Sequence, residues 1–264
     1  MLARRAGIEA FDPVPRAPAT RATSCTVTPQ TLKVHGLFRS GTNLAKVMIE
    51  RCFDCRVSFE LGGHKHLPLP YLPGITEAAR IDTVVCVKDP LASLVSLFQY
   101  ARRIRFKHFD CPQDWDGFLR SRLTVRIRAD PSIPAFRFSH PADYWNAVYA
   151  NALSLPVQTR FLLRYEDMLA DPEAVIDALA AHFRAWPRRP EATCVLPAHL
   201  LGRSTEELPP PGQNARSFAA RRDWYQSRTY LTWFNARQVD FMRQRLDPDV
   251  LAATGYALDG DAGR

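Results

Sequence analysis

The amino-acid sequence predicts an α/β protein in three layers, α/β/α, with a mostly parallel central sheet and helices on both faces. Three observations carry this prediction. Short β-rich apolar runs alternate with segments whose apolar residues recur at helical spacing. One run, IDTVVCVKD (81–89), is almost continuously apolar, as in a strand buried on both faces of a parallel sheet. A turn bounded by Gly36 and Gly41 separates the first strand from the first helix.

The elements follow in order. TLKVHGLF (31–38) is the first strand, and residues 43–52 form a helix with Leu44, Val47, Met48 and Cys52 on one face. CRVSFEL (55–61) predicts a short second strand, and Gly62, Gly63 and the prolines of HLPLPYLPG (66–74) a loop. After the buried strand, Pro90 marks a helix start for LASLVSLFQYARRI (91–104), whose Leu91, Leu94, Val95 and Phe98 share a face. Residues 101–140 are rich in Arg, Phe and Asp without clean periodicity and read as irregular helix and loop, in the manner of a lid. HPADYWNAVYANALSL (140–155) predicts a helix and TRFLLRYED (159–167) a strand. Asp171, Pro172 and Glu173 start a helix over AVIDALAAHF (174–183). Residues 186–213 hold several prolines and read as a long loop, and residues 228–256 are helical again. Ligands in such folds bind at the carboxyl ends of the strands, where Phe38 to Asn43, Lys88 to Pro90 and Tyr165 to Asp167 fall.

Composition bounds the function. With 264 residues and 46% hydrophobic content, residues 30–264 are expected to form a single domain, and residues 1–29 a disordered leader rich in Arg, Ala, Pro and Thr. Glu9 and Asp12 argue against a transit peptide, and no apolar run reaches membrane-spanning length, so a cytoplasmic protein is expected. The net charge of +8 fits either an anionic ligand or an ordinary basic surface. Arginine greatly outnumbers lysine, which singles out Lys65 and Lys88. Six cysteines show no disulfide framework. Cys52, Cys55, His64 and His66 lack the second tight pair of a structural zinc site, and no metal is expected.

The turn VHGLFRSGTNLAKV (34–47) has the glycine spacing of a phosphate-binding P-loop. Its backbone N–H groups and the following helix dipole suit an anion. Thr42 and Asn43 stand where a nucleoside triphosphatase places Lys and the magnesium-binding hydroxyl, and the cation has moved to Arg39. The match is not isolated. FRSGTNL resembles the 5'-phosphosulfate loop of the PAPS-dependent sulfotransferases, and VVCVKDPLASLVSLF resembles their 3'-phosphate segment, a basic residue followed eight positions later by serine. FLLRYEDMLADPEAV is similar to their YED and DP segment, and GHKHLPLP to their loop with Lys and His before LP. Leu44 stands where many relatives have tryptophan, and the family's late RKG and GDWK motif has no clear counterpart.

The resemblance implies a P-loop nucleotide-hydrolase-like fold, PAPS as co-substrate without a metal, and sulfuryl transfer to the hydroxyl of a carbohydrate, lipid or small molecule. It places the general base on His66, with Arg39 and Lys65 beside the reacting group. Arg39, Ser40, Gly41, Thr42, Asn43 and Leu44 would hold the 5'-phosphosulfate, Lys88 and Ser96 the 3'-phosphate, and Tyr165 the adenine. In place of the family's late motif stand Arg221, Arg222 and Trp224, of which Arg222 would add a late phosphate contact, although the stretch reads equally as a solvated basic face. Whether His64 or Lys65 reaches the donor stays open, as do the acceptor and the oligomeric state, and no nucleic-acid partner is expected. Two other readings remain: an ATP-dependent small-molecule kinase, which calls for a lysine after Gly41, and a non-catalytic nucleotide- or polyanion-binding module, which has no need of His66.

Overall fold

The computed structural model describes residues 31–68, 81–127, 133–197 and 218–258. The expected leader lies outside these residues, as do much of the proline loop after His66 and most of the long loop after residue 197.

Four strands form the central sheet: β1 (Thr31–Gly36), β2 (Arg56–Ser58), β3 (Thr83–Val87) and β7 (Arg160–Arg164). Their order is β2-β1-β3-β7, and every pairing is parallel. Helix α1 (Thr42–Cys52) connects β1 to β2, after which the chain crosses to the other side of β1 to lay down β3. The direction of winding therefore reverses at β1 and β3, which opens a crevice at their carboxyl ends. Helices α2 (Pro90–Arg103), α4 (Pro141–Leu153), α5 (Tyr165–Ala170) and α6 (Pro172–His182) pack around this sheet. The predicted α/β class with a mostly parallel sheet is thus the observed one.

The strands form where the sequence is apolar and β-branched: every residue of β3 is buried, including Val84, Val85 and Val87. Met48 and Ile49 of α1 and Leu94 and Val95 of α2 fill the same core. Each such side chain contributes roughly 1.5–3 kcal/mol of burial. Helix α4 brings the largest groups, and its aromatic polar ends tie it to the strand termini. Trp145 Nε1 donates to the Lys88 carbonyl (3.2 Å), and Tyr149 Oη to the Cys86 carbonyl (3.0 Å).

Residues 101–140 depart from the expected irregular lid. Beyond α2 they form β4 (Phe109–Asp110), α3 (Trp115–Arg120), β5 (Leu123–Val125) and β6 (Phe136–Phe138), the strands making a second, antiparallel sheet in the order β4-β5-β6. Strands of two or three residues are too short for alternation to show; in Phe136-Arg137-Phe138 it is present once, buried-exposed-buried. The C-terminal region is also less continuous than expected. A helix α7 (Phe218–Gln226) precedes a 3-10 turn (Thr229–Trp233), then α8 (Ala236–Arg245) and α9 (Pro248–Ala253). Asn235 caps α8 and Asp247 caps α9, which accounts for the breaks.

Asp89 joins three parts of the chain. Its carboxylate caps α2 by accepting from Ala92 N (2.9 Å), and its own N–H donates to Glu166, which also accepts from Tyr256 Oη (2.6 Å). Asp89→Ala is expected to lower stability by about 1–2 kcal/mol and Asp89→Asn by much less, since Asn can also cap; urea unfolding of the two variants checks this.

Candidate active site

The segments that follow the carboxyl ends of β1, β2 and β7, together with α2 and α7, supply a cavity of about 240 Å³, lined by Phe38, Arg39, Gly41 to Leu44, Lys65, His66, Tyr100, Tyr165, Phe218 and Arg221. The part of the site suited to an anion is the turn from Gly36 to Gly41. Arg39 is held at φ 69° and Gly41 at φ 94°, both in the left-handed region. A Cβ on Gly41 would lie 2.3 Å from the Tyr165 ring, so only glycine lets the turn pass beneath that tyrosine. Gly41 then starts α1 without any side-chain cap, and the first turn carries no acidic residue. The N–H groups at that end of the helix are therefore available to an anionic ligand.

His66 and Lys65 reach the cavity because their backbone is stitched to the end of β1. The Gly36 N–H donates to the Lys65 carbonyl (2.9 Å), and His66 Nδ1 lies 2.7 Å from the Gly36 carbonyl oxygen. A carbonyl can only accept, so Nδ1 carries the proton and Nε2 of the neutral ring keeps its lone pair. Tyr144 Oη donates to the His66 carbonyl (2.6 Å), and the imidazole stacks on Phe38 at 4.1 Å. Burial, reinforced by the Lys65 charge, holds the His66 pKa well below its usual value. The ring is thus neutral across the physiological range.

Lys65 donates to Asn43 Oδ1 (2.9 Å), with its ammonium 3.3 Å from the Phe59 ring centre. Burial lowers its pKa to about 8. Between the two flanking residues left open by the sequence, Lys65 lines the cavity and His64 is not among its lining residues. Lys33, which the sequence did not single out, underlies this loop. Buried in β1, it donates to the Gly63 carbonyl (2.7 Å) and more weakly to that of Phe59 (3.4 Å).

Lys88 and Ser96 are brought together, with Lys88 Nζ donating to Ser96 Oγ (2.7 Å) and to the Arg39 carbonyl (3.2 Å). They sit beneath the rings of Tyr165 and Tyr225, 5.2 and 4.6 Å from the ammonium, and are not among the cavity-lining residues. Burial drives the Lys88 pKa well down.

The model of the sulfotransferase domain matches residues 56–185, just under half of the chain. Residues 56–185 are a sulfotransferase domain. No curated protein matches it. The matched stretch of the sulfotransferase domain contains Lys65, His66, Lys88, Ser96 and Tyr165, whereas Arg39 to Leu44 precede it and α7 follows it.

Of the sequence-predicted residues, Arg39, Gly41 to Leu44, Lys65, His66 and Tyr165 line the cavity, and Ser40 is buried with its hydroxyl donating to the Leu37 carbonyl (2.9 Å). Arg222 does not line it; its guanidinium lies 3.8 Å from Asp223. Arg221 faces the cavity instead. Phe218, Arg221 and Tyr225 share one face of α7 at i, i+3 and i+7 spacing. Cys52 ends α1, as its helical spacing implied, and its sulfur lies 2.7 Å from that of Cys194.

Burial lowers the Lys33 pKa from 10.5 to about 7, so between these values the unfolded chain binds more protons than the folded one. Stability is therefore expected to rise with pH from about 7 towards 10.5, and Lys33→Met to remove the part of that rise beginning near pH 7. Chemical denaturation across this range checks it; an unchanged slope in the variant contradicts the assignment.

Proposed function

We propose that this sulfotransferase moves the sulfuryl group of PAPS to an acceptor hydroxyl, with His66 as general base. The observation that carries the reading is the His66 ring: a neutral imidazole with its Nδ1 proton committed to Gly36, in the same cavity as Arg39 and the uncapped start of α1. The acceptor oxygen forms a bond to sulfur as the bridging S–O bond to the 5'-phosphate breaks. Its proton goes to His66 Nε2, and the charge left on the phosphate oxygen collects beside Arg39 and Lys65. Arg39 acts as a permanent electrostatic clamp rather than a proton donor.

In this reading the backbone of Ser40 to Leu44 binds the 5'-phosphosulfate, and Tyr165 packs against the adenine. Lys88 and Ser96 take the 3'-phosphate once Lys88 exchanges its contact with the Arg39 carbonyl for the ligand. The late phosphate contact passes from Arg222 to Arg221, the neighbour that faces the cavity. Thr42, where an ATP-dependent kinase needs lysine, favours a sulfuryl donor over a terminal phosphate.

His66→Asn keeps a donor for the Gly36 carbonyl but removes the base. It is expected to lower kcat by about 10²–10⁴-fold while leaving the Kd for adenosine 3',5'-bisphosphate nearly unchanged. The wild-type kcat/KM profile should fall only well below pH 6.5, where His66 protonates, and again above about 8, where Lys65 loses its charge. Steady-state kinetics with calorimetric nucleotide binding checks both; loss of nucleotide binding in the variant, or retained turnover, contradicts the role.

A further inference from the structure

The proposed donor employs the cations inside the cavity, yet the basic surface continues outward from it. The end of α2 and the turn after it read Arg102, Arg103, Ile104, Arg105, Phe106, Lys107 and His108, with no acidic residue, and Arg103, Arg105 and Lys107 are exposed. Arg105 and Phe106 both adopt left-handed backbone, at φ 50° and 55°, a conformation ordinary for glycine and costly for these residues. The turn is fixed by Phe106 N–H donating to the Ala101 carbonyl (2.7 Å). It adjoins the cavity, because Tyr100 lines it and the Arg39 and Arg103 guanidinium carbons lie 5.4 and 5.1 Å from that ring's centre. The His108 ring lies 5.9 Å from that of Phe38, also a lining residue.

The antiparallel sheet carries this surface on. His108 pairs with Arg126 (2.8 Å), and Asp110 with Thr124, which pairs in turn with Arg137. Cross-strand partners share a face. His108, Arg126 and Arg137 therefore lie opposite the buried Phe109, Val125 and Phe136. Asp110 is the one acid among these paired residues, and its contact with Arg126 is long (3.7 Å) and exposed, which neutralises little. The strip crosses two strand spacings, about 10 Å.

We propose that the acceptor is an acidic carbohydrate, its carboxylates lying along His108, Arg126 and Arg137 while a sugar ring at Tyr100 presents its hydroxyl to His66. The inference rests on the reading of the cavity as a sulfuryl-transfer site. Spaced guanidinium forks suit carboxylates carried on successive sugars, and an aromatic ring beside them suits a sugar face. A membrane surface would call for exposed apolar groups, and the large exposed hydrophobics among the described residues, Val157 and Val195, are not on this face.

Short oligogalacturonates and neutral malto-oligosaccharides, titrated calorimetrically into the protein with and without adenosine 3',5'-bisphosphate, test this. Oligogalacturonate should bind at least about tenfold more tightly than the neutral sugar, a difference of about 1.4 kcal/mol. The exposed-residue double variant Arg126→Glu/Arg137→Glu should weaken it by about tenfold or more, with the nucleotide Kd unchanged. Equal binding of neutral and acidic sugars, an unaltered affinity in the double variant, or equally tight binding of a DNA oligonucleotide or of phosphatidylglycerol vesicles overturns the proposal. Failure of the nucleotide alone to bind would instead strike the donor reading, because the sugar titration without nucleotide does not depend on it.

Discussion

The site depends on the backbone of Gly36. Its N–H donates to the Lys65 carbonyl and its carbonyl accepts from His66 Nδ1–H, so one residue at the end of β1 fixes both the loop that presents the cations and the tautomer of the imidazole. No side chain can be accommodated there: a Cβ would lie 2.5 Å from the Cys86 carbonyl oxygen and 2.5 Å from Ser40 Oγ. The next residues begin the turn that ends at Gly41. Cradle and proposed base are thus parts of one hydrogen-bonded unit, anchored in the middle of a parallel sheet and roofed by Tyr144, whose hydroxyl holds the His66 carbonyl.

A second constraint is electrostatic. Lys33, Lys65 and Lys88 are all desolvated, and burial lowers the pKa of each. Their ammonium groups rest largely on neutral oxygens: the Gly63 and Phe59 carbonyls for Lys33, the Asn43 amide for Lys65, and Ser96 with the Arg39 carbonyl for Lys88. Neutral acceptors compensate a buried cation less than an anion does, so the cluster favours an anionic ligand at the expense of the free protein's stability. Lys33 has a different position from the other two. It stays inside the sheet and acts on the site only through the carbonyls it grips.

Much of this was legible in the sequence, and the limits have physical causes. The strand, glycine turn and helix from Thr31 to Cys52 were readable because a buried parallel strand and an amphipathic helix each leave a strong pattern. Lys88 and Ser96 were separable from ordinary helix residues only by their spacing; the structure adds that their side chains meet. Of the adjacent Arg221 and Arg222, only Arg221 lines the cavity, and choosing between them requires the helical phase set by Phe218 and Tyr225. Lys33 was invisible, since a lysine in a strand is normally read as edge-facing, and its carbonyl partners come from a loop 26 to 30 residues away. The antiparallel sheet was missed because strands of two and three residues carry no period.

The most direct measurement of the central claim is ligand-induced thermal stabilisation in the presence of EDTA, comparing adenosine 3',5'-bisphosphate with ADP. A ligand at about 100 times its Kd stabilises the folded state by about 2.7 kcal/mol. The account predicts that the 3'-phosphorylated nucleotide raises Tm by clearly more than ADP does, and that Lys88→Ala abolishes the difference. Equal stabilisation by the two nucleotides, or a larger effect of ADP, would contradict it.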